Sequence, residues 1–163
     1  MVADRATFED FYRERLPRVL RACVLVTLDR DAAEEIAAEA FARLWSSWDR
    51  IEDEDHAGGY VYTTAMRLCA KRRARRRREV VGVVADRAAP DEVGRGAIRD
   101  EVFAALGALP LRQRQCVVLR DWAGFGTDEV AGMLRMRAST VRVHLSRGRA
   151  ALRRELSIEE RDG

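Results

Sequence analysis

Apolar residues recur along this chain at intervals of three and four while alternating patterns are nearly absent, so the periodicity predicts an all-α protein. Phe8, Phe11, Tyr12, Leu16, Val19, Leu20 and Cys23 form a first stripe, and Pro17 is expected to kink or divide that helix. The segment DRDAAEE opens a second helix. Asp31, three residues before Glu34, resembles a capping arrangement, and Ile36, Ala40, Phe41, Leu44, Trp45 and Trp48 make the expected buried stripe. Glu35, Glu39 and Arg43 fall on the opposite face. The segment DRIEDEDHAGG then reads as a loop with Gly58 and Gly59 as breakers, and a third helix is expected from about Tyr60. Val61, Ala65, Leu68 and Cys69 anchor its inner side, which leaves Arg67, Lys71, Arg75 and Arg78 along one outward face.

The following stretch, EVVGVVADRAAPDEVGRGA, contains Gly and Pro and lacks a sustained amphipathic pattern. It reads as a flexible linker, so the chain divides into a helical domain over 4–78, a linker over 79–99 and a second helical domain over 100–157. In that second block RDEVFAALGAL is a helix stopped by Pro110, LRQRQCVVLRDWAG a second ended by Gly124, TDEVAGMLR a short third and ASTVRVHLSRGRAALRREL a long fourth. A short helix, a tight connection and a longer basic helix form a helix-turn-helix pattern. Thr127 is the expected N-cap of the short helix. In the long one Val141, Leu145, Gly148 and Leu152 face inward, Gly148 allowing close helix approach, while Ser139, Arg142, Val143, Ser146 and Arg147 face outward.

Charge sharpens this picture. The net charge of +3 is modest, but the signs are separated along the chain. From Asp29 to Asp55 acids dominate, from Arg67 to Arg78 there are eight basic residues and no acid, and from Arg135 to Arg154 there are seven arginines and no acid. Two cationic surfaces and one acidic surface suggest two contacts with one polyanion. No apolar run approaches the length that spans a bilayer, and MVADRATFED lacks the features of a secretory signal, so a cytoplasmic location is expected. Cys23, Cys69 and Cys116 form no CxxC pair and lie among apolar residues, which reads as buried reduced thiols. There is no phosphate-binding Gly-rich loop, catalytic dyad or zinc spacing, so neither catalysis, a cofactor nor a metal is expected.

Three segments carry a resemblance to a known family. DRDAAEEIAAEAFARLW resembles region two of an extracytoplasmic-function sigma factor, GYVYTTAMRLCAKRRARRRR is similar to the promoter-reading helix that follows it, and LGALPLRQRQCVVLRDWAGFGTDEVAGMLRMRASTVRVHLSRGRAALR resembles region four. The resemblance spans nearly the whole chain, and the ordered combination of segments is its most specific feature. It implies a non-enzymatic transcription initiation factor that binds core RNA polymerase, reads promoter DNA at the minus-ten and minus-35 elements, helps to open the duplex, and has an anti-sigma factor as a possible further partner.

By this resemblance Glu35, Glu39 and Arg43 meet the largest polymerase subunit. Tyr60, Arg67, Lys71 and Arg75, with the loop before them, lie at the minus-ten element, where Tyr60 could stack on an unpaired base. Ser139, Thr140, Arg142, Val143 and Arg147 lie at the minus-35 groove and its flanking phosphates. The sequence departs from the family at several points: Arg67 replaces the usual Asn, Tyr60 a common Trp, Ala37 and Ala38 a Val-Gln pair, and Arg135, Arg137 and Ser139 occupy Gly, Ser and Gly positions in the turn. Two other readings of the residues remain open: a stand-alone helix-turn-helix regulator, and a peripheral protein holding RNA or anionic membrane without sequence preference.

Overall fold

The computed structural model describes residues 5–79 and 97–161. Seven α-helices are present there: α1 (Arg5–Thr27), α2 (Arg30–Ser46), α3 (Glu54–Glu79), α4 (Ala97–Gly107), α5 (Leu111–Val117), α6 (Thr127–Leu134) and α7 (Ala138–Arg161). A 3-10 turn, Trp48–Arg50, follows α2, and one π-helical turn, Val118–Trp122, continues α5. The described residues contain no strand. None of their helices is long and apolar enough to cross a membrane.

Helices α1, α2 and α3 pack on one another as an N-terminal bundle. α1 runs unbroken through Pro17, against expectation. Pro17 is exposed, so the carbonyl left without its usual N–H partner can be hydrated, and packing of Phe11, Val19, Cys23 and Val26 supports the helix on either side. It ends where Leu28 takes a left-handed conformation, φ 58°. The cap of α2 is Asp29 rather than Asp31: its carboxylate accepts the Ala32 N–H at 3.1 Å, and Asp31 sits in the first turn.

The expected loop before Tyr60 is shorter than its composition suggests. α3 starts at Glu54, with the Asp53 carboxylate accepting the His56 N–H at 2.7 Å, and includes both Gly58 and Gly59. Two helical glycines cost about 1 kcal/mol each relative to alanine, but the cap, the acids Glu54 and Asp55 at the positive helix end, and burial of Ala57, Val61 and Tyr62 prevail. Trp45 is a second correction. It is 47% exposed, covered on one side by Phe8 at a ring distance of 4.9 Å, whereas Trp48 is buried.

The C-terminal bundle comprises α4 to α7. Its central contact is α5 against α7, where Gly148 lies close to Val117 and Gln113. α6 is capped one residue earlier than expected, at Gly126, whose N–H donates to Glu129 Oε1 at 3.0 Å. Arg135 closes α6 in the left-handed conformation, φ 53° and ψ 49°, at the position where a glycine would be the relaxed choice. Most of the stretch read as a linker, 80–96, lies outside the described residues, while Glu79 belongs to α3 and 97–99 to α4.

The two bundles form one continuous core. Tyr62 of α3 meets Phe125 edge-on at 5.0 Å, and the Arg18 guanidinium of α1 stands 5.4 Å from the Trp122 ring centroid. Polar groups enter the same seam. Gln115 Nε2 donates to the Met66 carbonyl at 3.1 Å, and Arg114, 2% exposed, donates to the carbonyls of Val26 and Leu109.

Candidate nucleic-acid interface

Helix α3 carries its cations on two faces with different surroundings. Arg72 and Arg76 turn toward the start of α2, where Arg72 Nη1 meets Glu35 Oε2 at 2.8 Å and Arg76 Nη1 lies 3.8 Å from Asp29 Oδ2. Arg67, Lys71, Arg75 and Arg78 are exposed, and among the described residues none of them forms an ion pair. This second row is a cationic ridge with no internal counter-charge, so its charges are available to phosphate. Tyr60, one turn and more before the ridge, is partly buried. Its hydroxyl reaches Ser47 Oγ at 3.3 Å and the Arg43 carbonyl at 3.5 Å, which leans the ring toward the end of α2.

Glu35, Glu39 and Arg43 lie exposed on one face of α2, but they are not independent charges. Arg43 Nη2 donates to Glu39 Oε1 at 2.6 Å, and Glu35 is held by Arg72 of α3. The face is therefore an ordered arrangement of alternating sign, and a partner that uses it must compete with or extend existing pairs.

The third surface lies on α7. Ser139, Thr140, Arg142, Val143, Ser146 and Arg147 are all exposed, while Val141 and Leu145 are buried and Leu152 is partly so. Arg142 and Arg147 have no carboxylate partner among the described residues. Val143 is 46% exposed in the middle of this row, an apolar contact flanked by hydrogen-bonding groups. Such a mixture suits base edges in a major groove.

Arg149 belongs to the same basic stretch but has a different task. It binds Asp121 through two hydrogen bonds, Nε to Oδ2 at 2.8 Å and Nη2 to Oδ1 at 2.5 Å, and so ties α7 to the π-helical turn. The guanidinium holds the Asp121 carboxyl below its ordinary range, and the carboxylate raises the Arg149 pKa in return.

The seam residues Arg114 and Gln115 were not among the candidates read from the sequence. A signal was present: on a helix starting at Leu111, both fall on the face shared by Leu111 and Val118, and polar residues at such positions mark a buried polar contact.

These surfaces match a described family. Residues 11–79 match Sigma-70 region 2, and residues 99–152 match Sigma-70, region 4. The RNA polymerase sigma-E factor of Streptomyces coelicolor is 32% identical over 157 residues, which cover 95% of this chain and 89% of that protein. This chain belongs to the extracytoplasmic-function sigma factors. The ECF RNA polymerase sigma factor SigL of Mycobacterium tuberculosis is a more distant relative, 27% identical over 97% of this sigma factor and 92% of its own length. The fold of the sigma factor is similar to that of RpoE from Bartonella quintana, solved in complex with the anti-sigma factor NepR. The TM-score is 0.75 at 22% identity, covering 92% of this chain and 98% of that one. As an RNA polymerase sigma factor the protein acts in transcription initiation, and its family is one of regulatory factors. Both family regions coincide with a surface built above: α2 and α3 fall within region 2, and most of α7 within region 4.

Proposed function

We propose that this sigma factor docks on core RNA polymerase through Glu35, Glu39 and Arg43, holds minus-ten DNA on Arg67, Lys71 and Arg75 beside Tyr60, and reads the minus-35 element with Ser139, Thr140, Arg142, Val143 and Arg147. It works in the cytoplasm and favours promoter opening by retaining a melted strand. The observation that carries this reading is the pair of unpartnered cationic rows on α3 and α7, separated from ordered acidic residues on α2. An anti-sigma factor is a further partner in this proposal, supported by the structurally similar sigma factor RpoE, which was solved with the anti-sigma factor NepR.

The arrangement imposes a physical requirement. Elements centred near minus-ten and minus-35 are about 25 base pairs apart, or roughly 85 Å along B-form DNA. A compact chain of 163 residues is only about 40 Å across. With its two bundles packed together the chain therefore cannot read both elements on straight duplex at once, and the seam through Arg114, Gln115, Tyr62 and Trp122 must part when the promoter is engaged. In this reading the seam is a closed resting state, and binding energy from polymerase and promoter offsets its loss.

Co-elution with purified core polymerase tests the docking step. The wild-type chain is expected to form a stoichiometric complex, and charge reversal of both Glu35 and Glu39 to weaken it at least tenfold with melting nearly unchanged. Equal affinity of the double variant removes the α2 assignment.

A further inference from the structure

The seam between the two bundles contains a small cavity whose charge is out of balance. It has a volume of about 70 Å³ and is lined in part by Asp29, Cys69, Arg72, Arg73 and Arg76 from the N-terminal bundle and by Arg114 of α5. A buried water needs on the order of 10 to 15 Å³, so the space suits a tetrahedral oxyanion or a handful of waters. Four guanidinium groups thus line a cavity with one carboxylate, and that carboxylate is already engaged: Asp29 caps α2 and lies within 3.8 Å of Arg76. Arg72 is paired outward with Glu35.

Two cations remain without a counter-ion. Arg73 forms no hydrogen bond or ion pair among the described residues. Arg114 is 2% exposed; its Nη1 and Nη2 donate to backbone carbonyls, and its Nε is buried with no acceptor. Burying a guanidinium against neutral carbonyls alone is costly, and the neighbouring Arg73 adds repulsion. The strain shows in Arg114 itself: burial first, and then Arg73, push its pKa down to about 10. Water would satisfy the orphaned N–H but would leave the charge uncompensated. An oxyanion would do both, and planar guanidinium groups fit the edges of a phosphate.

We propose that this cavity is a binding site for a tetrahedral oxyanion, either free phosphate or the terminal phosphate of a small phosphorylated metabolite, which bridges Arg73 of α3 and Arg114 of α5 and holds the two bundles together. A nucleic-acid backbone does not fit, because the site lies at the seam and Arg114 is closed off from solvent. The exposed ridge of Arg67, Lys71 and Arg75 is the surface open to DNA. Only the consequence for transcription, a ligand that favours the closed form over the promoter-bound form, rests on the proposed function; the binding itself does not.

The test is thermal melting of the full chain at matched ionic strength, with millimolar sodium phosphate or ADP without magnesium against sodium chloride alone. At ten times its Kd the occupant raises the melting midpoint by about 3 to 6 °C. Arg73→Ala abolishes the rise, whereas Arg75→Ala, on the exposed ridge, retains it. A response to phosphate identifies the free anion as sufficient; a response to ADP alone identifies a phosphorylated metabolite. Equal midpoints in all three salts overturn the proposal, leaving a water-filled cavity. An equal rise in wild type, Arg73→Ala and Arg75→Ala also overturns it, because that is general salt stabilisation rather than a site.

Discussion

Arg114 of α5 places its guanidinium at the carboxyl end of α1, with Nη1 donating to the Val26 carbonyl at 2.5 Å and Nη2 to the Leu109 carbonyl at 3.0 Å. The last carbonyls of a helix lack partners within it and carry the negative end of its dipole, which offsets part, but not all, of the cost of burying a cation there. One side chain from region 4 thus closes the end of the first helix of the N-terminal bundle.

Replacing Arg114 with alanine should leave the Val26 carbonyl without its donor and open space in the seam. The expected loss is about 2 to 3 kcal/mol in urea unfolding, with Gln115→Ala losing about 1 kcal/mol. Arg114→Ala should also speed amide exchange along the end of α1, and Gln115→Ala around Met66 of α3. Unchanged exchange at these places would mean that the bundles do not depend on these contacts.

The turn between α6 and α7 carries two arginines at its capping positions. Arg135 occupies a left-handed conformation that costs a side-chain-bearing residue about 1 kcal/mol, and Arg137, whose carbonyl accepts the Val141 N–H at 3.1 Å, has no side-chain oxygen with which to cap α7. Arg135→Gly is expected to stabilise by about 0.5 kcal/mol, and Arg137→Ser by up to about 1 kcal/mol. Thermal melts of the single and double variants check both.

Two helical glycines should respond in opposite directions. A Cβ on Gly148 would stand 2.9 Å from Val117 Cγ2, so Gly148→Ala forces α5 and α7 apart and costs about 1 to 3 kcal/mol. A Cβ on Gly59 meets nothing within 4 Å, and Gly59→Ala should add about 0.5 to 1 kcal/mol through helix propensity. Equilibrium unfolding of both variants separates close approach from simple permissiveness.

The helical stripes were legible because burial on a helix repeats at 3.6 residues: Val141, Leu145 and Gly148 are inward as spaced, and Arg67, Lys71 and Arg75 outward. Where tertiary context decided, the sequence pattern was a poorer guide. Gly58 and Gly59 read as breakers because propensity is local, while the Asp53 cap and the packing of α3 extend the helix through them. Trp45 fits the α2 stripe by spacing, yet the bundle closes beside it and leaves it half exposed. Among the arginines, composition gave no sign that Arg149 is committed to Asp121, 28 residues away, or that Arg114 is buried, since each partner comes from another helix.

Acid should test the Asp121–Arg149 tie. The folded-state pKa of Asp121 is lowered by the bond to Arg149, so its contribution is present above the unfolded value, 3.8, and disappears as pH falls through the lower folded value. Asp121→Asn should therefore be less stable than wild type at neutral pH, with the difference shrinking below pH 3.8. Both side chains are substantially exposed, so the neutral-pH difference is expected to be no more than about 1 kcal/mol and to fall with added salt. Melting curves across pH read it directly.

On α7 the two unpaired arginines should be distinguishable. Arg142→Ala is expected to relax preference at one or two base pairs of the upstream element and to cost about 1 to 3 kcal/mol there, whereas Arg147→Ala should weaken all sequences alike and lower the salt slope by about one. Competition binding of the polymerase complex to a randomised upstream element measures both. A uniform loss in the two variants would place Arg142 on phosphate.

Promoter selection by this protein is read most directly by mapping the RNA 5′ ends made by purified core polymerase on genomic DNA, with and without it. A sigma factor that reads two promoter elements should give new, protein-dependent starts preceded by two elements at fixed spacing. Charge reversal at Glu35 and Glu39 should abolish these starts, and Arg142→Ala should redistribute them by altering the upstream element alone. Starts indistinguishable from those of core polymerase by itself would contradict promoter selection by this protein.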